Sequence, residues 1–80
     1  MYSIADLRTF VVIAETGGVT AAARRLGISA ATASHRLSKL EAALRLTLFH
    51  RNSRVVVLTA EGQVFLDRVQ PILADLSQAE

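Results

Sequence analysis

The chain contains no cysteine. That excludes disulfide staples, thiolate metal sites and cysteine nucleophiles together. It also lacks a long apolar run. The longest, Phe10-Val11-Val12-Ile13-Ala14, is halted by Glu15 and is far too short to span a bilayer. No basic segment leading into a cleavable apolar stretch stands at the start, so a cytoplasmic protein with no membrane partner is expected. Internal repeats, low-complexity tracts and linker-like segments are missing as well. His35 and His50 have no second ligand four residues away and only isolated carboxylates nearby, so neither a metal nor another cofactor is expected. No nucleophile–base–orienter pattern occurs, and 80 residues leave little room for a catalytic pocket. The chain does not read as an enzyme.

Acid is scarce in one place. Between residues 20 and 40 there is none. Residues 20–54 carry seven cations (Arg24, Arg25, Arg36, Lys39, Arg45, Arg51 and Arg54) against Glu41 alone, a surplus of six. The segments on either side are acidic, by one charge over residues 1–19 and by three over residues 55–80. The modest net charge of +2 therefore hides a concentrated basic block, which points to a polyanionic partner. Solvated charge is the plainer reading of such a run, and Arg24 and Arg25 fit that description. Apolar residues make up 51% of the chain, more than so small a domain can hide, so association with another chain is expected.

Ser3 and Asp6 have the spacing of a capping box, and Ile4, Leu7, Val11 and Ala14 recur at helical intervals with Phe10 beside them. This predicts a helix over about residues 4–15, ended by Gly17-Gly18. Thr20 is suited to cap a short second helix whose Ala22 and Ala23 let a neighbour cross closely. Gly27 suits a left-handed helix end, Ile28 plugs the turn into the core, and Ser29 is suited to cap a third helix. Ala33, Leu37, Leu40 and Leu44 form the seam of that helix, over about residues 30–44. Its opposite side carries Ala31, His35, Ser38 and Lys39, with Thr32 and Ser34 flanking. The stretch LTLFHRNSRVVVLT reads as two short strands joined at Asn52-Ser53, with Arg51 and Arg54 bracketing the tip and His50 structural. Thr59 caps a long helix over about residues 60–80, roughly 31 Å at 1.5 Å per residue. Its Val64, Phe65, Val69, Ile72, Leu73 and Leu76 exceed what a three-helix core can cover, which makes them a candidate dimer seam. Pro71 lies inside that helix, denies the Asp67 carbonyl a hydrogen bond, and is expected to kink or break it.

Two helices joined by a tight glycine turn, the second with a polar, acid-free outer side, describe a helix-turn-helix. The major groove admits one helix, and the preceding helix braces it across the phosphates. Thr20 and Ser29 stand at helix N-termini, whose outward N–H groups suit phosphate oxygens. A hairpin tipped by arginine fits beside the groove, where an arginine can enter a narrow minor groove.

The motifs VTAAARRLGIS, ATASHRLSKLE and LTLFHRNSRVVVLTAEG, with the long helix after them, resemble the LysR-type transcriptional regulators. The spaced set Leu48-Phe49, Arg51, Arg54, Val56, Leu58-Thr59 and Gly62 carries most of that resemblance, which extends over residues 4–80. It implies a mainly α winged helix-turn-helix over residues 1–58 and a linker helix over residues 59–80 that pairs antiparallel with its partner's in a homodimer. The implied function is sequence-specific binding of double-stranded DNA at an inverted-repeat operator. The larger effector-binding domain usual in such regulators is absent here, so an isolated DNA-binding part or a natural truncation is expected. By the same resemblance Ser34 and His35 face DNA, Arg54 reaches the minor groove, and Arg51 has a structural or phosphate-directed role. For His35, contact and plain exposure both stay open.

The chain departs from the family pattern at Gly18-Val19, where Ser-Phe is usual, at Ala30-Ala31, where Gln-Pro is frequent, and at His35, a common arginine position. Alanine cannot make glutamine's bidentate adenine contact, although its methyl can touch thymine. Readout is therefore expected to lean on Ser34, Arg36, Lys39, the wing and DNA shape. The alternative is a winged helix serving as a protein-interaction or assembly module without DNA binding. It would need the apolar long helix but not the basic outer face.

Overall fold

The structure is a computed structural model and describes residues 1–50 and 56–79. In chain order they form α1 (Ile4–Thr16), α2 (Val19–Leu26), α3 (Ala30–Leu44), β1 (Phe49–His50), β2 (Val57–Leu58) and α4 (Ala60–Ala79). The two strands pair antiparallel, Phe49 with Leu58 and His50 with Val57. Asn52, Ser53 and the wing arginines Arg51 and Arg54 lie outside the described residues.

Ser3 starts α1 as its spacing predicts. Asp6 N–H donates to Ser3 Oγ at 3.3 Å, and Ser3 N–H donates to Asp6 Oδ2 at 2.9 Å, closing the reciprocal cap. The buried face of α1 differs from the expected stripe. It consists of Asp6, Thr9, Phe10 and Ile13, while Leu7, Val11 and Ala14 are half-buried and Ile4 is half-exposed at 50%. Two polar side chains on the inner face disguise the period, because an aliphatic count passes over them. Thr9 meets its hydrogen-bonding need within the helix, donating its hydroxyl to Ala5 O at 2.8 Å.

The second helix also begins otherwise than expected. Gly18 is its N-cap with extended backbone, no side chain bonds there, and Ala22 N–H already donates to Gly18 O at 3.1 Å. Thr20 is therefore an exposed first-turn residue instead of the cap. Ala22 and Ala23 are buried as their small size suggested. Gly27 ends α2 at φ 71°, a left-handed conformation that costs glycine nothing, and Ile28 N–H closes the turn on Ala23 O at 3.0 Å. Ile28 is only half-buried and stays outside the central core cluster.

The core gathers Phe10 and Ile13 of α1, Ala22 of α2, Leu37 and Leu40 of α3, Leu48 and Phe49 at the start of the hairpin, and Leu66 of α4. Phe10 is its hub, with ring centroids 5.4 Å from both Phe49 and Phe65. Offset aromatic pairs at this separation add about 0.5–1.5 kcal/mol each beyond burial. Beyond α3, Arg45 adopts φ 57° and its N–H caps Glu41 O, so a non-glycine residue takes the left-handed position. The Glu41 carboxylate then accepts from Leu48 N–H at 2.7 Å.

Thr59 joins hairpin and last helix. Its N–H donates to Leu48 O at 3.0 Å, its hydroxyl donates to Thr47 O at 2.6 Å, and the same oxygen accepts from Gly62 N–H at 2.9 Å. A Cβ on Gly62 would overlap the Leu48 carbonyl, so only glycine permits α4 to start this close to β1. Pro71 does not break α4, which runs as one helix through it. Both Pro71 and Asp67 are exposed, so water can satisfy the carbonyl that lacks its partner. His50 is exposed, and its structural part is its backbone pairing with Val57.

Candidate nucleic-acid interface

The inner seam of α3 is Ala33, Leu37 and Leu40, each 2% exposed or less. Helical geometry then turns the other side outward. Ala30, Ala31, Thr32, His35, Ser38 and Lys39 are exposed, with Ser34 and Arg36 half-buried at the margins. At the helix start, Ser29 Oγ accepts from Thr32 N–H at 3.0 Å and donates to Thr32 Oγ1 at 2.8 Å. The Thr32 hydroxyl oxygen is the acceptor in the second of these bonds, and the residue is exposed. Ala30 and Ala31 add first-turn N–H groups beside it, the usual place for an anion at a helix end. The face therefore offers hydroxyl and amide donors, an imidazole and methyl groups, and no carboxylate.

Its cations are less simple than the sequence suggests. Lys39 Nζ lies 3.2 Å from Asp6 Oδ2, with the acid side chain only 3% exposed. Burial acts to raise the Asp6 carboxyl, but the Ser3 backbone N–H, the Lys39 ammonium and the Ser3 hydroxyl outweigh it and hold it below its ordinary value. Arg36 Nη1 reaches Thr9 Oγ1 at 3.4 Å, so it too leans onto α1. Arg25 pairs with Glu15 at 3.1 Å across the α1–α2 joint, a contact its reading as a merely solvated charge did not include. Asp6 and Thr9 are the functional neighbours that sequence reasoning missed. The available signal was the capping-box acid itself, one turn ahead of Thr9 and Phe10, which places a carboxylate on the inner face in need of a cation.

The root of the hairpin is tied to the helices through hydrogen bonds. Val56 N–H donates to Gly17 O at 3.2 Å, fastening β2 to the joint between α1 and α2. The Glu41 carboxylate links α3 to Leu48 at the start of the hairpin, and the Thr59 bonds close its other end on Thr47 and Leu48.

The six apolar residues singled out on α4 divide into two groups. Val69 and Leu73 are buried within the protomer, and Phe65 is half-buried against Phe10. Val64, Ile72 and Leu76 stay exposed, at 53%, 56% and 37%. The first three belong to the fold of a single chain; the other three are left uncovered by it. Among the described residues, no helix is long and apolar enough to cross a membrane.

Residues 4–63 match the family described as bacterial regulatory helix-turn-helix protein, lysR family. The HTH-type transcriptional regulator DmlR of Escherichia coli strain K12 is 41% identical over 73 residues, which are 91% of this chain and 24% of DmlR. The chain thus spans about a quarter of that relative's length. Its structure is similar to the BenM DNA-binding domain solved in complex with benA site 1 DNA, with a TM-score of 0.92 and 32% identity, covering 96% of this chain and 86% of that one. It is similar also to the CbnR DNA-binding domain solved with DNA, at a TM-score of 0.90 and 34% identity, covering 96% of this chain and 88% of that one. With three-quarters of its residues inside the matched span and its fold shared end to end with such domains, the chain belongs to the lysR family of bacterial regulatory helix-turn-helix proteins.

Proposed function

We propose that the chain is the double-stranded-DNA-binding part of a bacterial transcriptional regulator, acting as a homodimer on an inverted repeat. Residues 1–58 form the winged helix-turn-helix and residues 59–80 the dimerising helix. In this reading α3 enters the major groove, with Ala30, Ala31, Thr32, Ser34 and His35 toward the base edges. Thr20 and Ser29 stand at helix starts near phosphates, Arg36 and Lys39 border the groove, and Arg51 and Arg54 supply the wing. The observation that carries it is the carboxylate-free outer side of α3 in a fold matching two domains solved on DNA. Dimerisation is assigned to the uncovered side of α4, where Val64, Ile72 and Leu76 leave apolar area exposed.

The test replaces His35 and Ser38 with glutamate, both exposed and hence harmless to the core. Two acids near phosphates cost about 2 kcal/mol or more, roughly a thirtyfold loss of affinity. Sites selected from random duplex DNA by the unmodified chain should lose retention in a gel shift with the double variant. The helical circular dichroism spectrum should be unchanged. Equal retention by both proteins would show that the outer side of α3 does not meet DNA, and failure of the unmodified chain to enrich any duplex would transfer the case to a protein-interaction module.

A further inference from the structure

Asp6 is an internal counter-ion on the edge of the face assigned to DNA. Its carboxylate is buried, and one oxygen, Oδ2, receives both the Ser3 N–H at 2.9 Å and the Lys39 ammonium at 3.2 Å. Lys39 is the partly exposed member of the pair, at 43%, and comes from the outer side of α3. A phosphate that drew Lys39 away would leave the desolvated carboxylate held by Ser3 alone, and breaking a buried pair by removing one partner costs more than a screened phosphate contact returns. The neighbouring Arg36–Thr9 contact at 3.4 Å joins the same two helices beside the pair.

We infer that Asp6 is a specificity-determining residue: it withholds Lys39 from phosphates, so that this lysine adds nothing to indiscriminate attraction for nucleic acid. The inference rests on the DNA-binding reading above. Its physical content is a charge count. A cation neutralised by a fixed acid releases no phosphate counter-ion, whereas a free one steepens the salt dependence by about 0.9 per contact. Sequence-independent binding is made almost wholly of such contacts, so withholding one raises the ratio of specific to random binding.

The experiment measures equilibrium binding to a labelled duplex of random sequence across a salt series. It compares the unmodified chain with Asp6→Asn, Lys39→Gln and the double variant. The double variant removes both charges and leaves no buried ion, so a phosphate contact by Lys39 would still be exposed in it, and the inference refuted, even if Asp6→Asn alone fails to fold. Its salt slope should equal that of the unmodified chain. A slope flatter by about 0.9 per protomer would show that Lys39 was a phosphate contact and overturn the inference. Asp6→Asn alone should bind random duplex more tightly, with a slope steeper by about the same amount; an unchanged slope in that folded variant overturns it equally. A purely structural part for Asp6 would change the melting temperature of these proteins but not their slopes. Elution from immobilised heparin separates the two readings. If the unmodified chain retains no duplex, the DNA-binding reading falls. Equal elution salt for it and the double variant would then still uphold the withheld lysine, and earlier elution of the double variant would refute it.

Discussion

The Asp6–Lys39 pair shows what one buried charge does to a small fold. Three partners offset the burial of the carboxylate and leave its ionised form favoured in the native chain relative to the unfolded one. A folded value below the unfolded one means that the unfolded chain binds the proton first. The stabilisation is therefore complete above the ordinary carboxylate range and is lost as pH falls through the lowered folded value. Urea unfolding should accordingly show a steeper loss of stability from pH 5 to pH 3 in the unmodified chain than in the Asp6→Asn, Lys39→Gln double variant. Parallel curves would mean that the pair contributes no linkage. Gly62 makes a second prediction at the same scale. A methyl there meets the Leu48 carbonyl, a backbone atom held by its own bond from Thr59. Gly62→Ala should cost about 1–3 kcal/mol, which in a domain of this size lowers the thermal midpoint by about 4–8 °C per kcal/mol. Circular dichroism melting would detect it, and an unchanged midpoint would mean that β1 retreats freely from α4.

At the scale of elements, α4 combines two demands. Leu66, Val69 and Leu73 anchor it to the core while Val64 and Ile72 look away. Pro71 falls on the exposed side, where its missing N–H is least harmful. Proline in a helix interior is about 3 kcal/mol worse than alanine, so Pro71→Ala should raise stability by about 1–3 kcal/mol, visible as a later urea midpoint. A drop would show that the proline shapes the helix in a way the core requires. The span of α3 and its inward seam were legible because Ala33, Leu37 and Leu40 leave little ambiguity at helical spacing. The inner face of α1 was not, since it hides Asp6 and Thr9 among its apolar residues, and their burial depends on partners from α3 and the helix's own backbone. Nor was the start of α2. Thr20 has the right chemistry for a cap, but the chain enters the helix at Gly18, where an extended backbone and a carbonyl that accepts from Ala22 N–H suffice. The apolar excess of α4 was readable as a total; its division between core and surface required the place of α1.

For the molecule as a whole, the sequence located the basic block but could not show which charges the fold uses internally. Lysine and arginine look alike in a tally whether they face solvent or an acid brought close by tertiary packing, and Asp6 and Glu15 come from a different segment than their partners. Among the described residues, Arg25 and Lys39 of this basic block are engaged by carboxylates; the other five cations of the block are Arg24, Arg36, Arg45, Arg51 and Arg54. If those five arginines each neutralise one phosphate, a dimer makes about ten contacts, and log affinity should fall with log salt at a slope near −9. Fluorescence anisotropy on a selected operator, from about 50 to 200 mM salt, would then register a loss of about five decades in affinity. A slope near −12 to −13 would indicate that the two engaged cations release counter-ions as well, so that the ion pairs open on DNA. A nearly flat titration would remove phosphate neutralisation as the source of affinity, and with it the reason for concentrating positive charge around α3.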